Sequence, residues 1–339
     1  MSTASSPLGA AAASPKFAPF SITDITYKTV AGTPIKASIL IAKSTLDKPT
    51  QNKRPLNVRF HGGFLVTGSR LFADWYPSFV LDLCLLHDAV AITVDYRLMP
   101  EAKGREILED IKDFYAWFLK PGNLAAHLPS GIEVDLDNIL VSGESAGGYL
   151  AFHSALAAPS AIRALIMHYP MLDLRDPHYT QAYVKQLFNP PAPQIPPQVL
   201  ANHLAGLKGT EVVTSANPPE RVPLTVSIIQ QGRTAEFLGN DRGLYPLELL
   251  EDGTVSQAGL PPMWILHGKH DSAVPAEGSH RFVEKLYVAL PDARIHVTIE
   301  DGEHGFDNHA FGTGEAATLE TAWVKEGVEF VQKYWPAAV

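Results

Sequence analysis

Apolar and polar positions along the chain fall into short blocks whose period changes. Segments 22–30 and 34–42 are rich in β-branched residues and flank Ala31-Gly32-Thr33, a spacing that predicts an edge hairpin. Residues 43–55 carry Lys, Pro, Asn and Gln and read as an exposed loop. From Leu56 onward, short apolar runs (56–60, 89–94, 138–141, 162–169, 263–268 and 294–299) alternate with stretches of helical period. In 104–119 the apolar residues are Ile107, Ile111, Phe114, Tyr115 and Phe118. In 315–334 they are Ala317, Trp323, Val324, Val328 and Val331. Further helices are expected after Tyr149 and over 276–290. Strands alternating with helices predict an α/β fold, with a mostly parallel sheet covered on both faces.

One region breaks that rhythm. Residues 173–260 are proline-rich (Pro190, Pro191, Pro193, Pro196, Pro197, Pro218, Pro219 and Pro223), with helices expected near 178–188 and 197–206. They read as a cap inserted into a core formed by 22–172 and 261–339. Tyr179, Tyr183, Phe188, Phe237 and Leu238 are its candidate pocket-lining residues. Residues 1–21 begin with small residues and read as a flexible tail or cap segment, without the basic start and Leu-rich core of a secretory signal.

Composition narrows the function classes. At 339 residues and 46% hydrophobic, the chain supports a large core. The net charge of −9 and the lack of a basic block argue against nucleic acid as a partner. No apolar run is long enough to span a membrane. The single cysteine, Cys84, lies in an apolar helical run, which excludes an internal disulfide and leads to the expectation of a reducing, cytoplasmic location.

The chemistry gathers at the predicted strand ends. Asn138-Ile139-Leu140-Val141 runs into Gly143-x-Ser145-x-Gly147 and then a helix, the pattern of a nucleophile elbow. The tight turn projects the Ser145 hydroxyl beyond its strand, and the Ala146 N–H faces any oxyanion formed there. The strand at 56–60 runs into His61-Gly62-Gly63-Phe64, where paired glycine N–H groups can converge on one anion. His61 is expected to brace that loop. Asp271 follows the strand at 263–268, and His304 follows the last strand. The order Ser145, Asp271, His304 suits a triad in which His304 moves the serine proton and Asp271 holds the imidazole. These groups need neither metal nor organic cofactor. A zinc set of His267, His270 and Asp271 lacks a completing second cluster. Asp307 is an alternative acid, poorly placed after His304. Asp95, Arg97 and Glu101 are expected to form ion pairs supporting the neighbouring loop.

Taken together, His61-Gly62-Gly63, Asp95-Tyr96-Arg97-Leu98-Met99-Pro100-Glu101, Gly143-Glu144-Ser145-Ala146-Gly147-Gly148, Asp271 and His304-Gly305-Phe306 resemble the hormone-sensitive-lipase-like branch of the α/β-hydrolases and related fungal and microbial carboxylesterases. The resemblance covers about 22–335. It implies an eight-stranded sheet, an oxyanion hole from Gly62, Gly63 and Ala146, a helical cap, and a small-molecule ester as substrate. A homodimer built on the last strand or helix is an arrangement common in the family. Two departures stand out. Phe64 replaces a third loop glycine and implies a narrowed or redirected pocket. Glu144 stands where Asp is common and is expected to support the site from behind. The same constellation also suits a lactonase, a thioesterase or a deacetylase of a secondary metabolite. A non-catalytic binding protein on this fold typically lacks the histidine, which is present here as His304.

Overall fold

A computed structural model describes residues 14–46, 52–256, 259–308 and 315–336. Strands β1 (Phe20–Val30) and β2 (Thr33–Ala42) form the expected hairpin, and β3 (Arg54–Phe60), β4 (Val90–Val94), β5 (Val134–Glu144), β6 (Ile162–His168), β7 (Met263–Gly268) and β8 (Ile295–Glu300) follow. All eight join one sheet in the order β1-β2-β4-β3-β5-β6-β7-β8. β2 pairs antiparallel with β1 and β4, and every pairing from β4 to β8 is parallel.

The period-2 alternation explains how one sheet supports two cores. Ile139 and Val141 of β5, Leu165 and Met167 of β6, and Met263 and Ile265 of β7 face one apolar cluster. Their neighbours Leu140, Ala164, Ile166, Trp264 and Leu266 face the other. Helices α1 (Ser78–Leu86), α2 (Gly104–Phe118), α3 (Ala146–Ala157), α4 (Pro197–Gly206), α5 (Val222–Gln230), α6 (Glu277–Ala289) and α7 (Ala322–Val331) complete the layers. α3 is buried throughout Ala146–Ala155, His153 and Ser154 included, as a helix apolar on nearly every side must be. α7 lies so close on Trp264 that a Cβ at Gly327 would fall 2.0 Å from that indole.

Some boundaries differ from expectation. The helix expected over 178–188 stops at Thr180, where Gln181 turns to extended backbone with φ −122° and ψ 142°; the chain then runs irregularly to α4, and prolines at 190, 191, 193 and 196 keep its second half from forming a helix. The last helix begins at Ala322, because Thr318 N–H donates to Thr321 Oγ1 and Thr321 N–H donates to Thr318 O, closing a turn before it. The flexible tail expected over 1–21 is narrowed: Phe17 and Phe20 are buried and residue 20 opens β1, while residues 1–13 lie outside the described residues. In the loop expected over 43–55, Lys43–Leu46 form a short helix and residue 54 already opens β3; residues 47–51 lie outside the described residues.

Registers bring the loops together. Phe60 pairs with Gly143, Glu144 with His168, and Gly268 with Glu300. The loops after β3, β5, β7 and β8 therefore meet at one edge, where parallel sheets place their ligands.

Candidate active site

Ser145 joins β5 to α3 with φ 57° and ψ −115°, an unfavourable conformation for a residue with a side chain. The turn is locked from outside: Ser145 N–H donates to His168 O at 2.8 Å, and its carbonyl accepts from Gly148 and Met171 at 3.0 and 3.2 Å. The flanking glycines are steric necessities. A Cβ on Gly143 would sit 2.2 Å from Gly147 O, and one on Gly147 would sit 2.0 Å from Phe60 O. Ser145 Oγ is buried and makes no hydrogen bond among the described residues.

His304 comes from the loop after β8, and its Nδ1 lies 2.7 Å from Asp271 Oδ2. Asp271 is held on all sides. Its Oδ1 accepts from Ala273 and Val274 N–H at 3.0 and 2.7 Å, and its Oδ2 lies 3.2 Å from His267 Nε2. Burial alone would raise its pKa, but the charges and hydrogen bonds of His304 and His267 outweigh burial and hold the carboxyl below the usual range. His267 and His270 diverge, which dismantles the zinc alternative. His267 turns inward to Ser279 and Val274; His270 turns outward to Asp301. Asp307, the alternative acid, pairs with His168 at 2.5 Å and accepts from Tyr169 OH.

The loop after β3 passes beside the serine, with the Gly62 Cα so placed that an added Cβ would lie 3.3 Å from Ser145 Cβ. No backbone carbonyl among the described residues accepts from Gly62 or Gly63 N–H, and Ala146, at the first helical position, has no intrahelical acceptor. His61 is fully buried; its Nδ1 lies 2.8 Å from Gly62 O. Burial pushes its pKa down to about 3, so the ring is neutral and donates that bond. Behind the loop, Arg59 binds the Glu144 carboxylate through Nε and Nη2 at 2.8 and 2.9 Å. Arg97 grips Asp110, and Glu101 pairs with Arg221. The Asp-Tyr-Arg stretch is thus an ion-paired scaffold.

These groups share a cavity of about 480 Å³ lined by Ser145, His304, Gly62, Gly63 and Glu144, with Phe64, Trp75, Phe188, Val222 and Val226 among its apolar walls. Three rings surround the imidazole: Tyr169 at 4.5 Å, Phe188 at 6.0 Å and Phe64 at 6.3 Å between centroids. Phe64, Ser145, Tyr169 and Phe188 all have positive φ, so backbone strain is concentrated in the cavity wall. Of the expected cap residues, only Phe188 lines the cavity. Tyr179, Phe237 and Leu238 are buried in the core, and Tyr183 is half exposed. Trp75 and Tyr169 lacked any sequence signal beyond being aromatic. Glu303, whose carboxylate accepts from the N–H groups of both Ser272 and His304, had no signal beyond its place beside His304.

The family model described as the alpha/beta hydrolase fold matches residues 57–201. Probable carboxylesterase M8 of Phoma sp. is 31% identical over 94% of this chain and 98% of its own length. Non-reducing polyketide synthase ausA of Aspergillus calidoustus is 24% identical over 93% of this chain, which spans 14% of that protein. A solved fungal esterase from Rhizomucor miehei superposes with a TM-score of 0.60 at 23% identity, covering 96% of this chain and 88% of that one, a likeness of fold. Among the described residues no helix is long and apolar enough to cross a membrane. With an eight-stranded sheet, a serine elbow and a near-full-length carboxylesterase relative, this chain belongs to the carboxylesterases of the α/β-hydrolase fold.

Proposed function

We propose that Ser145 attacks the ester carbonyl and carries the acyl group as a covalent intermediate. The observation that carries this is the 2.7 Å contact of His304 Nδ1 with Asp271 in a cavity that His304 shares with Ser145. A carboxylate at Nδ1 fixes the tautomer in which Nε2 is the basic nitrogen. His304 takes the hydroxyl proton as Ser145 Oγ bonds to the carbonyl carbon, then returns it to the departing alkoxide. Water repeats the sequence on the acyl-serine and regenerates the enzyme. Gly62, Gly63 and Ala146 N–H groups hold the oxyanion, each contributing about 3 kcal/mol. The apolar walls favour a small or medium ester with an apolar acyl or alcohol part.

A fluorophosphonate should label the wild-type protein at Ser145 and leave Ser145→Ala unmodified. Undiminished hydrolysis of p-nitrophenyl esters by Ser145→Ala would overturn the proposal. The match to a polyketide synthase favours a second reading, in which the same residues open a lactone, release a thioester or deacetylate a secondary metabolite. Relative kcat/KM values on an aryl ester, a lactone and an N-acetylcysteamine thioester separate the two.

A further inference from the structure

We propose that Ser272, the residue after Asp271, pins Phe188 over His304 and thereby sets which acyl chains reach Ser145. This rests on the ester-hydrolase reading of the site. The argument starts at Glu303. Its carboxylate accepts from Ser272 N–H at 2.6 Å, from Ser272 Oγ at 2.9 Å and from His304 N–H at 2.8 Å. One carboxylate therefore ties the loop carrying Asp271 to the loop carrying His304. It also commits the only proton of the Ser272 hydroxyl, so that oxygen meets its other neighbours as an acceptor. Bonding to an anion makes it a stronger acceptor.

That acceptor faces the cap. Phe188 N–H donates to Ser272 Oγ at 2.8 Å. Phe188 needs such a hold, since its φ of +70° is one that a bulky side chain rarely adopts. Its ring stands 6.0 Å from the imidazole and lines the cavity. Elsewhere the segment is fastened to the cap. Lys185 Nζ donates to Gln181 O and Ile229 O at 2.6 Å, and Gln230 of α5 bonds Ile195 N–H and Pro193 O. At Phe188 the fastening passes from cap to core. Ser272 and Glu303 act as positioning residues: they touch no substrate, yet they fix one wall of the acyl site by the same contacts that register Asp271 against His304.

The test compares wild type, Ser272→Ala, Ser272→Thr, Phe188→Ala and the Ser272→Ala/Phe188→Ala double variant on p-nitrophenyl acetate and octanoate. Ser272→Ala should raise the octanoate-to-acetate ratio of kcat/KM by about tenfold, the scale of one hydrogen bond to a charge-assisted hydroxyl. Phe188→Ala should shift it the same way, the double variant should add nothing, and Ser272→Thr should restore the wild-type ratio. Amide exchange at Phe188, followed by mass spectrometry, should quicken about tenfold in Ser272→Ala while β5 and β7 stay protected. Equal losses on both esters, or unchanged exchange at Phe188, would overturn the proposal. A wild type inert on every ester counts against the ester-hydrolase reading, and exchange at Phe188 then decides the Ser272 contact by itself.

Discussion

His61 and Gly62 form a closed unit: the neutral imidazole donates from Nδ1 to the carbonyl of the very next residue at 2.8 Å. That carbonyl shares its peptide plane with the Gly63 N–H, which points the opposite way. Holding one aims the other. His61→Ala should therefore lower kcat by roughly 10–100-fold with a smaller change in KM, as expected when an oxyanion donor loses its aim. His61→Asn, which keeps a donor, should recover part of the loss. Steady-state kinetics on p-nitrophenyl acetate check both; an unchanged kcat in His61→Ala would detach the histidine from the oxyanion loop.

Phe64 occupies a left-handed backbone position, with φ 56°, and its buried ring walls the cavity beside His304. Phe64→Gly removes that ring and suits the backbone better. The ratio of kcat/KM for tert-butyl acetate over ethyl acetate should rise by at least about tenfold, through relief of a steric clash worth more than 1.4 kcal/mol. A ratio that stays constant would mean that another wall excludes bulky alcohols.

Glu144 and Arg59 are both buried and bonded through two N–H···O contacts. Glu144→Ala strands a guanidinium and should destabilise the fold by about 3–5 kcal/mol. Pairing it with Arg59→Met removes the stranded charge and should return most of that loss. Urea unfolding midpoints measure both variants; equal stability of single and double variants would show that Arg59 finds another partner.

Acid should unfold this protein through groups that fold neutral. Burial lowers His61 and His153 to about 3 from an unfolded value near 6.5. Between those values the unfolded chain binds more protons, so stability falls as pH falls. Two such groups give a slope of up to about 2.7 kcal/mol per pH unit. The lowered Asp271 acts in the same direction at lower pH. Urea midpoints at pH 7, 6 and 5 should decline steadily; a flat profile would contradict neutral burial of the two imidazoles.

Arg221, in the segment inserted after β6, reaches the loop after β3 and the stretch after β4. It donates to Val66 O, to Met99 O and to both oxygens of Glu101. Arg221→Lys keeps the charge but loses the fork. It should speed limited proteolysis within 216–231 and raise KM several-fold, a loss of about 1 kcal/mol. Wild-type cleavage rates would show that other contacts suffice.

That Ser145, Gly62, Gly63, Asp271 and His304 come together was legible because each follows an apolar strand, and parallel strands deliver their ends to one edge. Local spacing did the rest at Ser145, where Gly143 and Gly147 are demanded by contacts of about 2 Å. The cap was not legible. Its geometry comes from proline-shaped backbone packed on distant residues, so Phe188 reached the cavity while Tyr183, five residues earlier, stayed at the surface. Glu303 escaped for another reason: its bond to Ser272 joins positions 31 apart, and no periodicity within either loop encodes that distance.

Gly68 and Ala216 exchange backbone hydrogen bonds at 2.7 and 2.8 Å, and Thr67 Oγ1 lies 2.8 Å from Glu220 O and 3.0 Å from Ala216 O, with its one proton for either. The inserted segment is therefore not an interchangeable lid. Grafting a relative's cap onto this core would replace the strand-like partner of residues 67–68 and shift the loop after β3 with it. A successful chimera therefore has to exchange residues 61–69 along with the inserted segment.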